Sequence, residues 1–288
     1  MNYSKSITEI IRQRFSCRAY LERPIGADIL QKLQNAIDEV KTGPLGSALR
    51  FKVIAATEED RSSLKGVGTY GNIKKPQGFI VGAVSRSAKD LEDYGYVLER
   101  LVLHATDLGL GSCWLGGGFT KSGFAKKIAA GPREQAPAVV SLGYIENIEQ
   151  AKNAFFRKKI GGHNRIQWEQ QFFYESFNNP ITVEQAGKYE NTLEMVRLGP
   201  SASNKQPWRI VKKGDAWHFH LQRTKGYGTG ILYKLLKTAD LQRIDMGIAL
   251  CHFELTAKQL GLQGSWKIDD PGIEKPDELS EYTASWKP

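Results

Sequence analysis

A segment near the start of the chain is repeated in its second half. Residues 24–44 (PIGADILQKLQNAIDEVKTGP) and 180–200 (PITVEQAGKYENTLEMVRLGP) align without a gap and share seven identities. In the first copy, the apolar residues at helical spacing are Ile29, Leu33, Ile37 and Val40. We therefore predict a helix in each copy, with Gly43 and Gly199 in the C-terminal caps that glycine favours.

A second pair of segments repeats in the same order. Residues 101–114 (LVLHATDLGLGSCW) match residues 253–266 (FELTAKQLGLQGSW). In each segment we predict a helix that ends at Leu-Gly-Leu, followed by a short link and a Trp. Two matches in one order indicate a tandem duplication, because repeat architectures show self-similarity at a fixed spacing. We place the two halves at 1–165 and 166–288. Trp114 and Trp266 take equivalent positions, and we interpret them as core residues.

The remaining pattern is typical of an α+β unit. Ser6 to Glu9 reads as a capping box that begins a short helix. Runs rich in β-branched and aromatic residues predict strands at 51–56, 78–84, 138–142 and 216–221. The order of strand, strand, long helix and strand indicates helices packed on mostly antiparallel sheets, an α+β fold in each half.

Composition excludes several classes of protein. The chain is 41% hydrophobic and 25% charged, which is ordinary for a globular protein and not typical of collagen-like or disordered chains. No stretch is apolar enough for a membrane span or a secretory signal. Three widely spaced cysteines, Cys17, Cys113 and Cys251, form neither a disulfide framework nor a metal pair. We expect a cytoplasmic protein without membrane contact.

The net charge of +9 does not by itself identify a class of binding partner. The basic residues are scattered, and no basic tract alternates with aromatic residues as nucleic-acid platforms require. We therefore expect no nucleic-acid partner. A small phosphorylated ligand needs only two or three of these charges.

The two copies differ where a ligand site would lie. The first begins RFSCRAY, with Arg14, Ser16 and Arg18, whereas residues 170–174 (QQFFY) of the second carry no cation. Guanidinium groups suit phosphate because their forked donors can form bidentate bonds. Conversely, residues 199–208 (GPSASNKQPW) are rich in hydrogen-bonding groups that residues 43–51 (GPLGSALRF) mostly lack. We infer one composite pocket, half supplied by each copy.

The segments RFSCRAY, PSASNKQPW and GLGSCWLGGGF together resemble those of the FMN-dependent nitroreductases, over nearly the whole chain. In that family two subunits grip each FMN between them. The resemblance implies a nitroreductase-like fold whose tandem halves form an intramolecular pseudo-dimer. It also implies a monomer that acts as this pseudo-dimer, for which further association is open.

The resemblance also assigns site residues. Arg14, Phe15 and Ser16 match the segment at the phosphate and ribityl chain, and Arg18 matches a basic residue near the flavin N1–O2 edge. Those matching the stretch beside N5 are Leu115, Gly116 and Gly117. A second phosphate pair corresponds to Arg157 and Lys159. The matches to the partner loop are Pro200, Ser201, Ala202 and Asn204.

The implied activity is that of an FMN-dependent oxidoreductase. The expected cycle is ping-pong, in which NADH or NADPH reduces FMN and a nitroaromatic or quinone-like acceptor then takes the electrons. Since the cofactor carries this chemistry, no catalytic acid, base or metal ligand is expected from the protein. We predict one flavin per chain. A protein that binds or sequesters FMN without efficient turnover is the alternative.

Overall fold

The computed structural model describes residues 1–57, 73–116, 121–152, 161–162, 164–228, 230 and 239–288. The α-helices in these residues are α1 (Ile7–Gln13), α2 (Ala27–Asp38), α3 (Asp90–Asp107), α4 (Lys121–Lys127), α5 (Ile148–Lys152), α6 (Val183–Ala186), α7 (Glu190–Arg197) and α8 (Leu241–Gln259). The strands are β1 (Leu49–Ala55), β2 (Gly78–Ser85), β3 (Gly111–Leu115), β4 (Glu134–Gln135), β5 (Val139–Gly143), β6 (Phe172–Tyr174), β7 (Trp208–Lys213), β8 (Ala216–Gln222), β9 (Ser265–Lys267) and β10 (Ser280–Lys287). Among the described helices, none combines the length and apolar character needed to cross a membrane.

The strands form two five-stranded sheets with the same central order. The first sheet runs β1-β2-β5-β3, with β4 beside β2, and every pair is antiparallel. The second runs β6-β7-β8-β10-β9, in which only the β6–β7 pair is parallel. The order β7-β8-β10-β9 therefore repeats β1-β2-β5-β3, and the predicted α+β architecture of two like halves is confirmed. The boundary between residues 165 and 166 stays a prediction.

The predicted strands all form, and the first helix begins where expected. The four predicted runs correspond to β1, β2, β5 and β8. Ser6 caps α1, because its Oγ accepts a hydrogen bond from the Glu9 amide at 3.3 Å. The Glu9 carboxylate does not complete the capping box, since it accepts instead from Gln13 Nε2 at 2.8 Å.

The first repeated segment shows two departures from the sequence pattern. Helix α2 ends at Asp38, so the prediction of Gly43 as its cap is wrong. Gly43 instead packs on Asp93, and a Cβ at this position would overlap that carboxylate. In the second copy, the predicted single helix is interrupted at Gly187, whose φ of 54° is left-handed. Gly199 does follow the C-cap residue of α7, Leu198.

The second repeated segment ends its helix in the same way in both halves. Gly109 and Gly261 have φ values of 83° and 72°, the conformation in which glycine closes a helix. The next residue closes the turn each time, since Leu110 N donates to Ala105 O and Leu262 N donates to Ala257 O, both at 2.9 Å. The predicted helix ends at Leu-Gly-Leu are therefore confirmed.

The long helices α3 and α8 cross at two glycines. A Cβ on Gly95 would overlap the carbonyl oxygen of Ile244, and one on Gly247 would overlap that of Glu92. Gly95 and Gly247 are 152 residues apart, as are Glu92 and Ile244. Contacts that remain the same when the partners are exchanged are typical of a two-fold axis. The halves therefore pack as a pseudo-symmetric pair, and one hydrophobic core contains residues of both.

Candidate functional site

A cavity of about 150 Å³ lies where the two halves meet. Its lining combines the segment after α1, the end of β3 and one face of α8. It also includes the connection between the halves, at Gly162 and Arg165, and the loop after α7, at residues 200–204. The lining residues are Arg14, Ser16, Arg18, Trp114, Gly116, Ala138, Gly162, Arg165, Pro200, Ser201, Ala202, Ser203, Asn204, Tyr227, Leu241, Ile244, Asp245 and Ile248. The segments that differ most between the copies therefore share one cavity.

The segment after α1 is extended, and its side chains alternate between cavity and core. Arg14, Ser16 and Arg18 line the cavity, whereas Phe15 and Cys17 are buried among apolar residues. Such alternation is expected of extended backbone. The segment is fixed by Cys17 N, which donates to Ser112 O on β3 at 2.8 Å.

Arg14 is the least satisfied of these side chains. Its Nε and Nη1 are buried and have no hydrogen-bond partner among the described residues. Burial lowers the pKa of its guanidinium, and the nearby Glu99 carboxylate acts in the opposite direction. Buried donors without an acceptor carry a free-energy cost. These unpartnered donors make Arg14 the candidate residue for binding an anion in the cavity.

Of the other residues predicted for the first half of the site, some lie in the core and one lines the cavity. Leu115 is fully buried and does not line the cavity, and neither does Phe15. Gly116 does line it, facing α8, where a Cβ would come within 2.6 Å of the Leu241 side chain. Only glycine fits this gap without displacing Leu241. Gly117, Arg157 and Lys159 lie outside the described residues.

The loop after α7 is held from two sides. The Ala202 amide donates to both oxygens of Asp245 on α8, at 2.9 and 3.1 Å. On the other side, Asn204 Nδ2 donates to Gly161 O at 2.7 Å and Asn164 O at 3.0 Å. Pro200, Ser201, Ala202 and Asn204 all line the cavity. The Asn204 amide thus ties the loop to the connection between the halves.

Trp114 lines the cavity and also donates a hydrogen bond from its indole ring. Its indole Nε1 donates to Glu99 Oε2 at 2.8 Å, while its ring lines the cavity. The half-buried ring also packs against the hydrophobic core, so the interpretation of Trp114 as a core residue is confirmed in part, whereas Trp266 is buried as expected.

Sequence reasoning missed the face of α8. Leu241, Ile244, Asp245 and Ile248 line the cavity at spacings of three, four and seven residues, the pattern of a single helix face. That spacing was a usable signal. Arg165 and Tyr227 were also missed, and they lie in irregular segments that no periodic pattern marks.

The cavity is electropositive. Three guanidinium groups line its described part, those of Arg14, Arg18 and Arg165, against the single carboxyl group of Asp245. Burial raises the pKa of Asp245 well above its usual value, which favours its neutral form. The remaining lining is largely apolar, so the cavity suits a ligand that combines an apolar body with a negative group.

Comparisons with known proteins show the family and the fold of the chain. The family model described as “Putative TM nitroreductase” matches residues 6–257. The crystal structure of a putative nitroreductase from Thermotoga maritima has 20% identity and a TM-score of 0.60, and the match covers 99% of this chain and 95% of that one. Among curated proteins the sequence has no match.

Shorter nitroreductases match about half of the chain. One with bound FMN, from Desulfitobacterium hafniense, has 21% identity and a TM-score of 0.40, covering 50% of this chain and 91% of that one. A putative nitroreductase in complex with FMN, from Desulfovibrio desulfuricans, has 21% identity and a TM-score of 0.41, covering 50% and 89%. Since the family model covers most of its length, the chain belongs to the TM nitroreductase family.

Proposed function

We propose that the protein is an FMN-dependent NAD(P)H oxidoreductase of nitroreductase type that binds one FMN in the cavity between its halves. The observation that carries the proposal is the buried Arg14 guanidinium, whose Nε and Nη1 lack partners among the described residues and which lines a cavity walled by both halves. Family membership supports the same assignment.

The residues present fit FMN. Arg14 and Ser16 would hold its phosphate and ribityl chain, because they offer charged and hydroxyl donors on one extended segment. Arg18 would lie near the pyrimidine edge, where a fixed positive charge favours the reduced flavin. The glycine at 116 leaves room beside the ring, and the loop at 200–204 would cover it from the second half. When bound, FMN would supply hydride acceptance from NADH or NADPH and electron delivery to the acceptor.

The apolar face of α8 would shape the part of the cavity that receives the acceptor. Leu241, Ile244 and Ile248 would exclude water from the ring and leave space for a flat acceptor, such as a nitroaromatic or quinone. Exclusion of water lowers the local dielectric constant, which strengthens the attraction between the arginines and a negative ligand. We propose in addition that the single chain acts as a pseudo-dimer in the cytoplasm.

Steady-state turnover tests the proposal. Flavin-loaded protein is mixed with NADH or NADPH and a quinone, and oxidation is compared with that by the same concentration of free FMN. We expect faster oxidation by the protein and parallel lines in double-reciprocal plots, as ping-pong kinetics require. Tight FMN binding with turnover no faster than free FMN would instead support a flavin-sequestering protein. Absence of FMN binding would contradict both functions.

A further inference from the structure

A buried Glu–His pair joins the two long helices behind the cavity. Glu99 on α3 and His252 on α8 are both fully buried, and His252 Nε2 lies 3.0 Å from Glu99 Oε1. The other ring nitrogen, Nδ1, lies 2.8 Å from the carbonyl oxygen of Met195 on α7. The pair therefore connects the first half to the second.

The hydrogen-bond geometry fixes how many protons the pair holds. A carbonyl oxygen can only accept, so the Nδ1 of His252 must carry a hydrogen that points to Met195. The contact between Nε2 and Oε1 also needs a hydrogen, which is bonded either to His252 or to Glu99. If the hydrogen is on His252, a positive imidazolium lies beside a carboxylate. If it is on Glu99, a neutral imidazole lies beside a carboxylic acid. The pair has no net charge in either case.

The pair is linked to two residues of the cavity wall. The second carboxyl oxygen of Glu99 accepts from Trp114 Nε1 at 2.8 Å, which orients the indole. The same carboxyl group acts electrostatically on the Arg14 guanidinium. Without the shared proton, Glu99 would be a full negative charge that compensates Arg14. With it, the positive charge of Arg14 remains available to a ligand.

We propose that Glu99 and His252 are positioning residues whose shared proton keeps the pair neutral and thereby preserves the positive charge of Arg14 for an anionic ligand group. This inference rests on the proposed function in taking that group to be the FMN phosphate. It makes His252, which lies outside the cavity lining, a determinant of anion affinity.

Three variants separate charge from packing. In Glu99→Gln, the amide oxygen can still accept from Trp114 and the amide nitrogen can donate to a neutral His252, so the pair stays neutral. In His252→Gln, Glu99 loses the partner with which it shares the proton and becomes a carboxylate whose negative charge is compensated by Arg14. The double variant removes that carboxylate again and is therefore a rescue test.

The readout is the ratio of riboflavin Kd to FMN Kd, measured by quenching of flavin fluorescence. Structural damage weakens both ligands, whereas a change of charge alters only the preference for the phosphate-bearing one. We expect the ratio to fall about tenfold in His252→Gln, as for loss of a charge-assisted contact. We expect it to stay within about threefold of wild type in Glu99→Gln and in the double variant.

The outcomes are distinguishable. A wild-type protein that binds neither flavin would contradict the proposed function itself. A wild-type preference for FMN that is unchanged in His252→Gln, or a fall that the double variant does not reverse, would overturn the role of the pair. If His252→Gln does not fold, nitrogen-15 NMR of histidine-labelled wild type decides, because a His252 ring without a proton on Nδ1 would overturn the inference.

Discussion

Arg14 is a single side chain whose burial carries a cost to stability. It follows α1 directly, and its guanidinium is buried with Nε and Nη1 unpartnered among the described residues. Since Glu99 is already paired with His252, it compensates this charge incompletely. Active sites often keep such unfavourable groups because the ligand completes them.

Replacing Arg14 with methionine should therefore separate stability from binding. We expect Arg14→Met to stabilise the flavin-free protein by about 1–3 kcal/mol, since buried donors without acceptors disappear. We also expect FMN affinity to fall at least about tenfold, because a charged hydrogen bond is lost. Urea unfolding and fluorescence titration measure the two effects.

The matched control is Gln170→Ala, which lies 156 residues further on and is exposed. It should change neither quantity. A less stable Arg14→Met protein that binds FMN as well as wild type would contradict this account of Arg14.

Asp245 makes the free energy of unfolding depend on pH. Burial raises the pKa of its carboxyl above the value of about 3.9 expected in the unfolded chain. Between these two values the folded protein binds more protons than the unfolded chain, so stability falls as pH rises, by up to about 1.4 kcal/mol per pH unit. Below about pH 4 the penalty is absent.

Asp245→Asn should remove that penalty, because an asparagine oxygen can still accept from the Ala202 amide. In urea unfolding of flavin-free protein between pH 4 and 8, we expect the variant to gain stability over wild type progressively as pH rises. Asp38→Asn, at the exposed end of α2, is the control and should show no such growth. A gain that shrinks with rising pH would rule out the assignment.

At the scale of elements, the crossing of α3 and α8 depends on glycine. A Cβ on Gly95 or on Gly247 meets backbone of the opposite helix, which cannot move aside as a side chain can. We expect Gly95→Ala and Gly247→Ala each to destabilise the protein by about 3 kcal/mol or more, since overpacking displaces whole helices.

Gly123→Ala in α4 is the matched control, because a Cβ there meets nothing within 4 Å. The same substitution should stabilise the protein by about 0.5–1 kcal/mol through helix propensity alone. Thermal and urea unfolding of the three variants test this contrast. Destabilisation of equal size at all three positions would show that the close crossing is not the cause.

Elements with local signals could be predicted from the sequence. The strands β1, β2 and β5 are rich in apolar and β-branched residues and β8 in aromatic ones, and the ends of α3 and α8 carry a glycine that closes the turn. The role of Gly43 could not be predicted, because Asp93, which it contacts, lies about fifty residues away. Strand β6 is short and pairs in parallel with a distant strand, so its signal is not local.

The candidate site was predictable to the extent that the two copies differ. Comparing them singled out Arg14, Ser16 and Arg18, and the structure places all three around the cavity with the loop at 200–204. Because side chains alternate along extended backbone, the cavity-facing Arg14 and Ser16 imply that the Phe15 side chain between them points into the core. The helical spacing of Asp245 marks the face of α8 on which it lies, but not its hydrogen bonds to the Ala202 amide, because those depend on a loop about forty residues away.

At the scale of the whole molecule, a symmetric framework carries an asymmetric site. Asp93 and Asp245, 152 residues apart, anchor equivalent loops, because Asp93 accepts from the amides of Leu45 and Ser47, each at 2.7 Å, as Asp245 accepts from Ala202. The aspartate on a long helix that accepts hydrogen bonds from a neighbouring loop is thus present in both halves. The cationic segment that would complete a site is present only in the first half, at residues 14–18.

This asymmetry predicts one FMN for each chain. Flavin absorbance against protein concentration after saturation and gel filtration should give a ratio of one, and Asn204→Ala should weaken FMN retention, because its side chain ties the loop to Gly161 and Asn164. Ser47→Ala, in the corresponding loop of the first half, should retain FMN as wild type does, since its hydroxyl contacts Ser87 at 2.8 Å rather than the cavity. A ratio of two, with equal losses in both variants, would mean that the second half also completes a flavin site with anion-binding groups other than residues 170–174.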